Sequence, residues 1–420
     1  MSTLLVPTSE KVYSVASQMS LLSLVSQDEH STEEQVQLLL MRDLTRLGWR
    51  LRSNPDVPNA FEFAPPNTYD KRVTRQTMAY ARNQIIDENM EWIQNHLPLA
   101  RKNLANGVDV LQSKIIPRIE VCNSKKSRDL FRIYRYYWSS PYSEYVGRRI
   151  RILIRDDGIE GSPVIGIAAI GSSIIHIPDR DDWIGWDLET RTNRIIYMMD
   201  AYILGALPPY NQLLGGKLIA YLLASNEVRD IFRSKYAGTK TIIKGREATD
   251  LVLLVTTSLY GKNSSQYNRL KYDQELLYQP IGETAGFGTL HISNETFKVM
   301  RQLLSENNRD ISNVFGNGAN WRLRVIKRAC EQMGMDSTAI LNHSFKRGLF
   351  GVPLAENWRE FLNGDDTQPK YRDLPMIDLV NYWKTRWLEM RKDNEIVTQS
   401  VKNFRRDSFN IESSSVLTDI

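Results

Sequence analysis

The chain has 420 residues, enough for two or three structural units and a sizeable core, with the apolar and charged fractions of an ordinary globular protein. Its net charge of +5 is mild, so nucleic-acid contact is expected from local patches rather than from the whole surface. Cys122 and Cys330 lie far apart in sequence, and five scattered histidines form no H-x-x-x-H pair, which leaves no disulfide framework and no metal pattern.

In chain order, residues up to about Ile119 read as a helical accessory region. Ser31 with Glu34 makes a capping box ahead of Val36, Leu38, Leu39, Leu40, Leu44 and Leu47. Pro55, Pro58, Pro65 and Pro66 interrupt the pattern, and helices resume over Tyr69 to Gln94 and Leu99 to Ile116, split by Pro98 and Gly107. No basic segment precedes an apolar one at the start, so no signal peptide is expected.

A basic and aromatic run follows: Lys125, Lys126, Arg128, Phe131, Arg132, Tyr134, Arg135, Tyr136, Tyr137 and Trp138, then Arg148, Arg149 and Arg151. Guanidinium groups interleaved with rings suit single-stranded nucleic acid, where phosphates meet Arg and bases stack. The alternative is a solvated charged face.

The centre changes period. Arg148 to Arg155 alternates as a strand, with the isoleucines on one face. Asp156-Asp157-Gly158 turns it into a second strand, Val164 to Ile170. The apolar run from Val164 to Ile177 is too short to span a bilayer, so a cytoplasmic protein without a membrane segment is expected. A third strand over Arg194 to Ala201 leads into Pro208-Pro209-Tyr210-Asn211, then a helix over Gln212 to Leu223 that carries Gly215, Gly216 and Lys217 one turn inside it. Leu251 to Val255 is a short buried strand. Helical patterns return after Ser293, including a segment whose Arg324, Lys327 and Arg328 point away from its apolar stripe. The division expected is 1–119 helical, 120–292 an α/β core, and 293–420 a basic helical extension.

Three constellations in the centre can carry chemistry. The start of the Gln212 helix offers backbone N–H groups and a favourable dipole to a phosphate, with Gly215 and Gly216 allowing close approach and Lys217 adding charge. The alternative is tight packing of that helix on the sheet. Asn263-Ser264-Ser265-Gln266-Tyr267-Asn268-Arg269 follows a buried strand, where α/β folds place ligand groups. Tyr267 can act as an acid there, with Asn263, Ser264, Asn268 and Arg269 as substrate contacts, or the segment is simply a capped helix. Asp179 to Asp187 packs carboxylates, Arg180 and two Trp into one run. It is either a grip for a base or cation, with Asp181, Asp182 or Asp187 as general base, or a salt-bridged turn anchored by tryptophans.

These residues carry a resemblance. Tyr137-Trp138-Ser139-Ser140-Pro141, Arg180-Asp181-Asp182-Trp183-Ile184-Gly185-Trp186, Leu204-Gly205-Ala206-Leu207-Pro208-Pro209-Tyr210-Asn211, Ser264 to Leu270, Gly282 to Gly288 and Asn320 to Ile326 resemble the DruA family of the bacterial Druantia anti-phage system. The resemblance runs from about Phe131 to Trp387. It implies antiviral defence beside other Druantia components, among them a large helicase-like protein.

A looser resemblance is to the GNAT acyltransferase fold, from the order hairpin, strand, loop, glycine-bearing helix, strand, and a helix with Tyr. It implies an α+β fold: a mixed-sheet GNAT-like core flanked by helical regions. Gln212-Leu213-Leu214-Gly215 matches the first half of the GNAT pyrophosphate pattern, while Lys217 stands where that pattern wants Gly or Ala. Tyr267 falls where many GNAT enzymes keep their general acid, and acyl-CoA is the donor this resemblance implies. The readings open at this point are a GNAT-like transferase acting on nucleic acid or a nucleotide, contacting it through Arg180, Tyr210 and Asn211, a non-catalytic nucleic-acid-binding subunit that recruits partners, and a purely structural subunit. Nucleic-acid contacts are expected at Arg132, Arg135, Arg148, Arg149, Arg324, Lys327 and Arg328.

Overall fold

Alternating apolar runs in the middle of the chain build one seven-stranded mixed sheet. The computed structural model describes residues 30–413 apart from 47, 54–60, 65–70, 141–146, 242–244, 260, 262, 264, 290 and 313–318. The strands are β1 (Pro117–Val121), β2 (Arg149–Asp156), β3 (Val164–Ser172), β4 (Met198–Ala206), β5 (Leu253–Ser258), β6 (Gln279–Glu283) and β7 (Gly348–Pro353). They lie in the order β1-β2-β3-β4-β5-β7-β6, antiparallel throughout except for the parallel pair β4–β5. With helices on both faces, the protein is α+β with a mixed sheet.

Alternation along β2 sends Ile150, Ile152 and Ile154 into a core with Leu218, Leu222 and Trp383, while Leu153 joins Phe131, Tyr134 and Ile167 on the opposite face. The basic and aromatic run becomes the Lys125–Arg135 helix, started by a Ser124–Ser127 capping box. Its Leu130, Phe131, Ile133 and Tyr134 are buried, so these rings fill a core.

Several boundaries differ from the sequence reading. A two-stranded ribbon, Arg50–Ser53 with Phe61–Ala64, and strand β1 both lie in the stretch read as helical. The Met90–Lys102 helix runs through Pro98, the missing hydrogen bond being outweighed by burial of Ile93, Leu97 and Ala100. Arg194 ends a short helix, Leu188–Arg194, capped by Asp187, and β4 begins only at Met198. The Gln212 segment is broken at Leu214, which adopts φ 59, so Gly215 and Gly216 open the Gly215–Leu223 helix instead of lying one turn inside it.

Packing crosses the segment boundaries drawn from the sequence. Val36 and Leu40 of the Thr32–Arg46 helix share a core with Met300, Leu304, Ile326 and Cys330. Asp43 accepts from the Ser293 N–H at 2.7 Å and the Thr296 hydroxyl at 2.6 Å. Among the described residues, no helix is long and apolar enough to cross a membrane.

Candidate functional site

Strands β4 and β5 pair only at Met198, Met199 and Asp200 with Leu253, Leu254 and Val255. The β3–β4 register slips between Ala169 and Ile170, facing Ile203 and Ala201, which leaves Tyr202 as a bulge. A bulge bends its strand, and β4 turns away from β5 here. The Thr256 hydroxyl donates to the Ala201 carbonyl at 2.8 Å, standing in for a backbone rung where the strands part.

Beyond that point lies a cavity of about 1700 Å³. Its walls are Asp200–Leu204 of β4, Val255–Leu259 around the end of β5, Ser265–Tyr267, and Trp138 with Ser139 and Ser140. Residues 284–289 and 291–294, Arg322, His343, Phe345 and Arg347 close the other side.

Tyr267 sits in this wall. It belongs to a single turn of 3₁₀ helix, Gln266–Arg269, capped by Ser265, and not to an α-helix. Its ring stacks on Tyr278 at 4.9 Å and tilts against Phe350 at 5.1 Å. The phenol turns to Thr256 and Gln266, and burial pushes its pKa up to about 12. It therefore holds its proton at neutral pH. Of its sequence neighbours, Asn263 is exposed, Asn268 half-buried and Arg269 exposed, while Ser264 lies outside the described residues.

The start of the Gly215–Leu223 helix is a second feature. A Cβ on Gly215 would lie 2.7 Å from the Tyr210 carbonyl oxygen, so that glycine is required by the chain's own backbone. A Cβ on Gly216 would meet only the Gln266 side chain, at 3.5 Å. Lys217 is 6% exposed with its Nζ 4.3 Å from the centre of the Trp387 ring. Burial, then Arg269 and Arg386, pushes its pKa down to about 8. Gln212 is tied through its carbonyl to Arg391, Tyr210 donates to Asp156 at 2.8 Å, and exposed Asn211 bonds Tyr137.

The acidic run forms a paired anchor. Arg180 is fully buried and donates to Asp181 Oδ1 from Nε at 2.8 Å and to the Ile174 and Ile175 carbonyls at 2.6 and 3.1 Å. Asp181 also accepts from Arg191 at 2.9 Å and from Trp186 at 3.2 Å. Trp183 stacks on Trp358 at 4.3 Å. Asp182 is exposed, Asp187 caps a helix by accepting from the Thr190 N–H at 2.7 Å, and neither is in the cavity wall.

The basic residues divide similarly. Arg135 lines the cavity while donating to Ser140. Lys327 stands 5.9 Å from the ring centre of Phe287, an exposed aromatic in the cavity wall. Arg132 is stacked on Trp92 at 4.0 Å and bonded to Asn89, and Arg148 donates to the Ile196 carbonyl at 2.6 Å between Phe232 and Tyr236. Arg149, Arg324 and Arg328 are exposed.

Sequence reasoning missed Thr256, Phe287, His291, Arg322, His343 and Arg347, all in the cavity wall. One signal was present: Gly286 and Gly288, in a segment with no helical or strand period, both adopt positive φ, 69 and 154.

The family described as Druantia protein DruA matches residues 69–364. The Druantia protein DruA of Escherichia coli (strain UMEA 4076-1) is 38% identical over 332 residues, spanning 78% of this chain and 81% of that protein. No solved structure matches. The family match takes in both flanking strands of the cavity, the Tyr267 turn and the Thr284 to Arg347 side, and on these grounds the chain belongs to the Druantia DruA family.

Proposed function

We propose that the chain is a component of Druantia anti-phage defence that takes a nucleotide or a nucleic-acid strand into the cavity between β4 and β5. The observation that carries this reading is the composition of the wall. Trp138, Tyr202 and Phe287 place rings in it, and Arg46, Arg135, Arg322 and Arg347 place positive charge there. Its acids are engaged within the protein: Asp43 by Ser293 and Thr296, Asp200 by the Ile174 N–H at 3.0 Å. Rings for bases and guanidinium groups for phosphates are the two needs of a nucleic-acid ligand. Other Druantia components, including a large helicase-like protein, are the partners this role implies. The test is binding of a short labelled single strand to the full chain across a salt series. Tight, salt-dependent binding abolished by Arg135→Ala with Arg322→Ala supports the reading, and unchanged binding by that double variant ends it.

A second reading, GNAT-like group transfer, is favoured by one observation: Tyr267 presents a protonated phenol beside Thr256 where the strands part. Acyl-CoA would supply the acyl group. Lys217, Arg269 and Arg386 suit the charge of its diphosphate, whereas Gly215 has no room to give. Asp182 and Asp187 stand outside the wall, so a proton held on the Tyr267 oxygen is what the site offers to a leaving group. Tyr267→Phe should fold. Under this reading it abolishes phage protection in cells carrying the whole system, since general acid catalysis contributes ~10²–10⁴-fold. Full protection by that variant removes the transfer reading.

A further inference from the structure

Two segments far apart in sequence are zipped together along one side of the cavity. The Thr284 N–H donates to the Arg347 carbonyl at 2.9 Å, the Arg347 N–H donates to the Thr284 hydroxyl at 3.0 Å, and the Ser344 N–H donates to the Gly286 carbonyl at 3.0 Å. Gly286 makes this possible, with φ 69 and only 2.9 Å from a Cβ position to the Ser344 backbone. The zip fixes His343 and Arg347 in the cavity wall, where the His343 ring meets that of His291 and Arg347 is near enough to lower the His343 pKa.

Arg347 is half-buried, and among the described residues its guanidinium makes no hydrogen bond and no ion pair. Burial alone lowers its pKa, with no carboxylate to offset it. An arginine drawn partly out of water is ordinarily held by an acid.

The two histidines are complementary in their unused atoms. His343 Nδ1 accepts from the Phe345 N–H at 3.0 Å, so its proton is on Nε2, which remains a donor. His291 Nε2 donates to the Ile340 carbonyl at 2.7 Å, so Nδ1 is a bare acceptor. His291 is 6% exposed, and that Nδ1 has no partner among the described residues. The rings are 5.2 Å apart. Burial pushes His343 down to about 3, helped by His291 and Arg347, and His291 down to about 4, so both are neutral. Neutral rings that feel Arg322 and Arg347 are a poor seat for a cation.

We infer that Arg347, His343 and His291 form a subsite for a phosphate monoester, borne by a nucleotide or by the end of an oligonucleotide. This rests on the nucleic-acid reading above and sharpens it. Two phosphate oxygens accept from the Arg347 fork, and a further lone pair accepts from His343 Nε2–H. The His291 acceptor then selects between kinds of phosphate. A monoester has a second pKa near ~6 and can present a P–OH to Nδ1. A diester has no such proton and would set its oxygens against a lone pair.

The test uses the full chain and three probes: one short oligonucleotide with either a 5′-phosphate or a 5′-hydroxyl, AMP against adenosine, and inorganic phosphate. The phosphorylated member of a pair should bind at least ten-fold more tightly, and Arg347→Met should erase that preference. Inorganic phosphate should raise the melting temperature of the parent and not of Arg347→Met. That variant should itself melt no lower than the parent, because it removes a charge that has no partner. A preference confined to AMP assigns the subsite to free nucleotides, and one confined to the oligonucleotide assigns it to strand ends. Equal binding with and without the phosphate overturns the subsite and leaves the nucleic-acid reading standing. A response to inorganic phosphate without oligonucleotide or nucleotide binding does the reverse. No response to any probe ends both.

Discussion

Arg180 and Arg347 are two sequestered arginines near the same cavity, and they use their charge in opposite ways. Arg180 is saturated by Asp181 and two carbonyls and serves to hold the Ile174–Ile177 segment in place. Arg347 is held by its backbone and leaves its guanidinium unengaged among the described residues. Arg180 lies in the most conspicuous charged run of the chain, Arg347 in an unremarked Phe-Lys-Arg-Gly. A conspicuous cluster is conspicuous because its members need one another, and that need is what makes it structural. Chemistry available to a ligand is found where the fold has stopped short of satisfying a group.

The contrast can be broken by substitution. Arg180→Met should be the most damaging, costing about 3–5 kcal/mol in denaturant unfolding, since Asp181 stays buried with less compensation. A loss under about 1 kcal/mol would mean the anchor is not one. The glycines extend the contrast to backbone. Gly215→Ala should cost about 1–3 kcal/mol by forcing the Tyr210 carbonyl away, whereas Gly216→Ala should be within about 0.5 kcal/mol of the parent, by the same melts.

Lys217 gives a pH signature. Its folded pKa, about 8, is below the ordinary 10.5, so the unfolded chain binds the extra proton between those values. Stability should therefore rise as pH climbs from about 8 towards 10.5. Lys217→Met should be more stable than the parent by roughly 1–3 kcal/mol at pH 7 and show no such rise. A parent whose stability is flat across this range would show that the amine is well solvated. The smallest effect belongs to the surface. Neutralising Arg324, Lys327 and Arg328 should lower the salt slope of single-strand binding by about 0.7 for each phosphate that no longer meets a positive charge. Arg132→Met should leave the slope alone and lower the melting temperature, because Trp92 and Asn89 already hold that guanidinium.

Local chemistry was legible in the sequence. The β2–β3 hairpin follows from its alternation and its Asp-Asp-Gly turn, and the Ser31–Glu34 capping box closes as its spacing requires. The break at Leu214 was not legible, because a leucine at φ 59 leaves no sign in the sequence. Without it, Gly215 and Gly216 look like interruptions of a helix that they in fact begin. Of the cavity wall, Tyr267 was legible because it follows a recognisable strand. His291, His343 and Arg347 were not, since the pairing of β7 with β5, that of β6 with β7 and the Gly286 turn are what bring their segments to the cavity.

The early parting of β4 and β5 gives this sheet something a sheet normally keeps at its rim. Past Asp200 and Val255 the two strands present facing edges in the middle of the molecule. Among the described residues the β4–β5 ladder has no rung past this point, and the Thr256 hydroxyl reaches across the gap to the Ala201 carbonyl. In a deuterium-exchange map, the amides facing this gap should label at rates typical of a molecular surface, while those pointing to β3 and β7 stay protected. An unpaired edge is also a template for any extended chain. Here the Lys71–Glu88 and Ala319–Gln332 helices, which contribute Tyr80, Gln84 and Arg322 to the enclosure, stand between that template and neighbouring molecules.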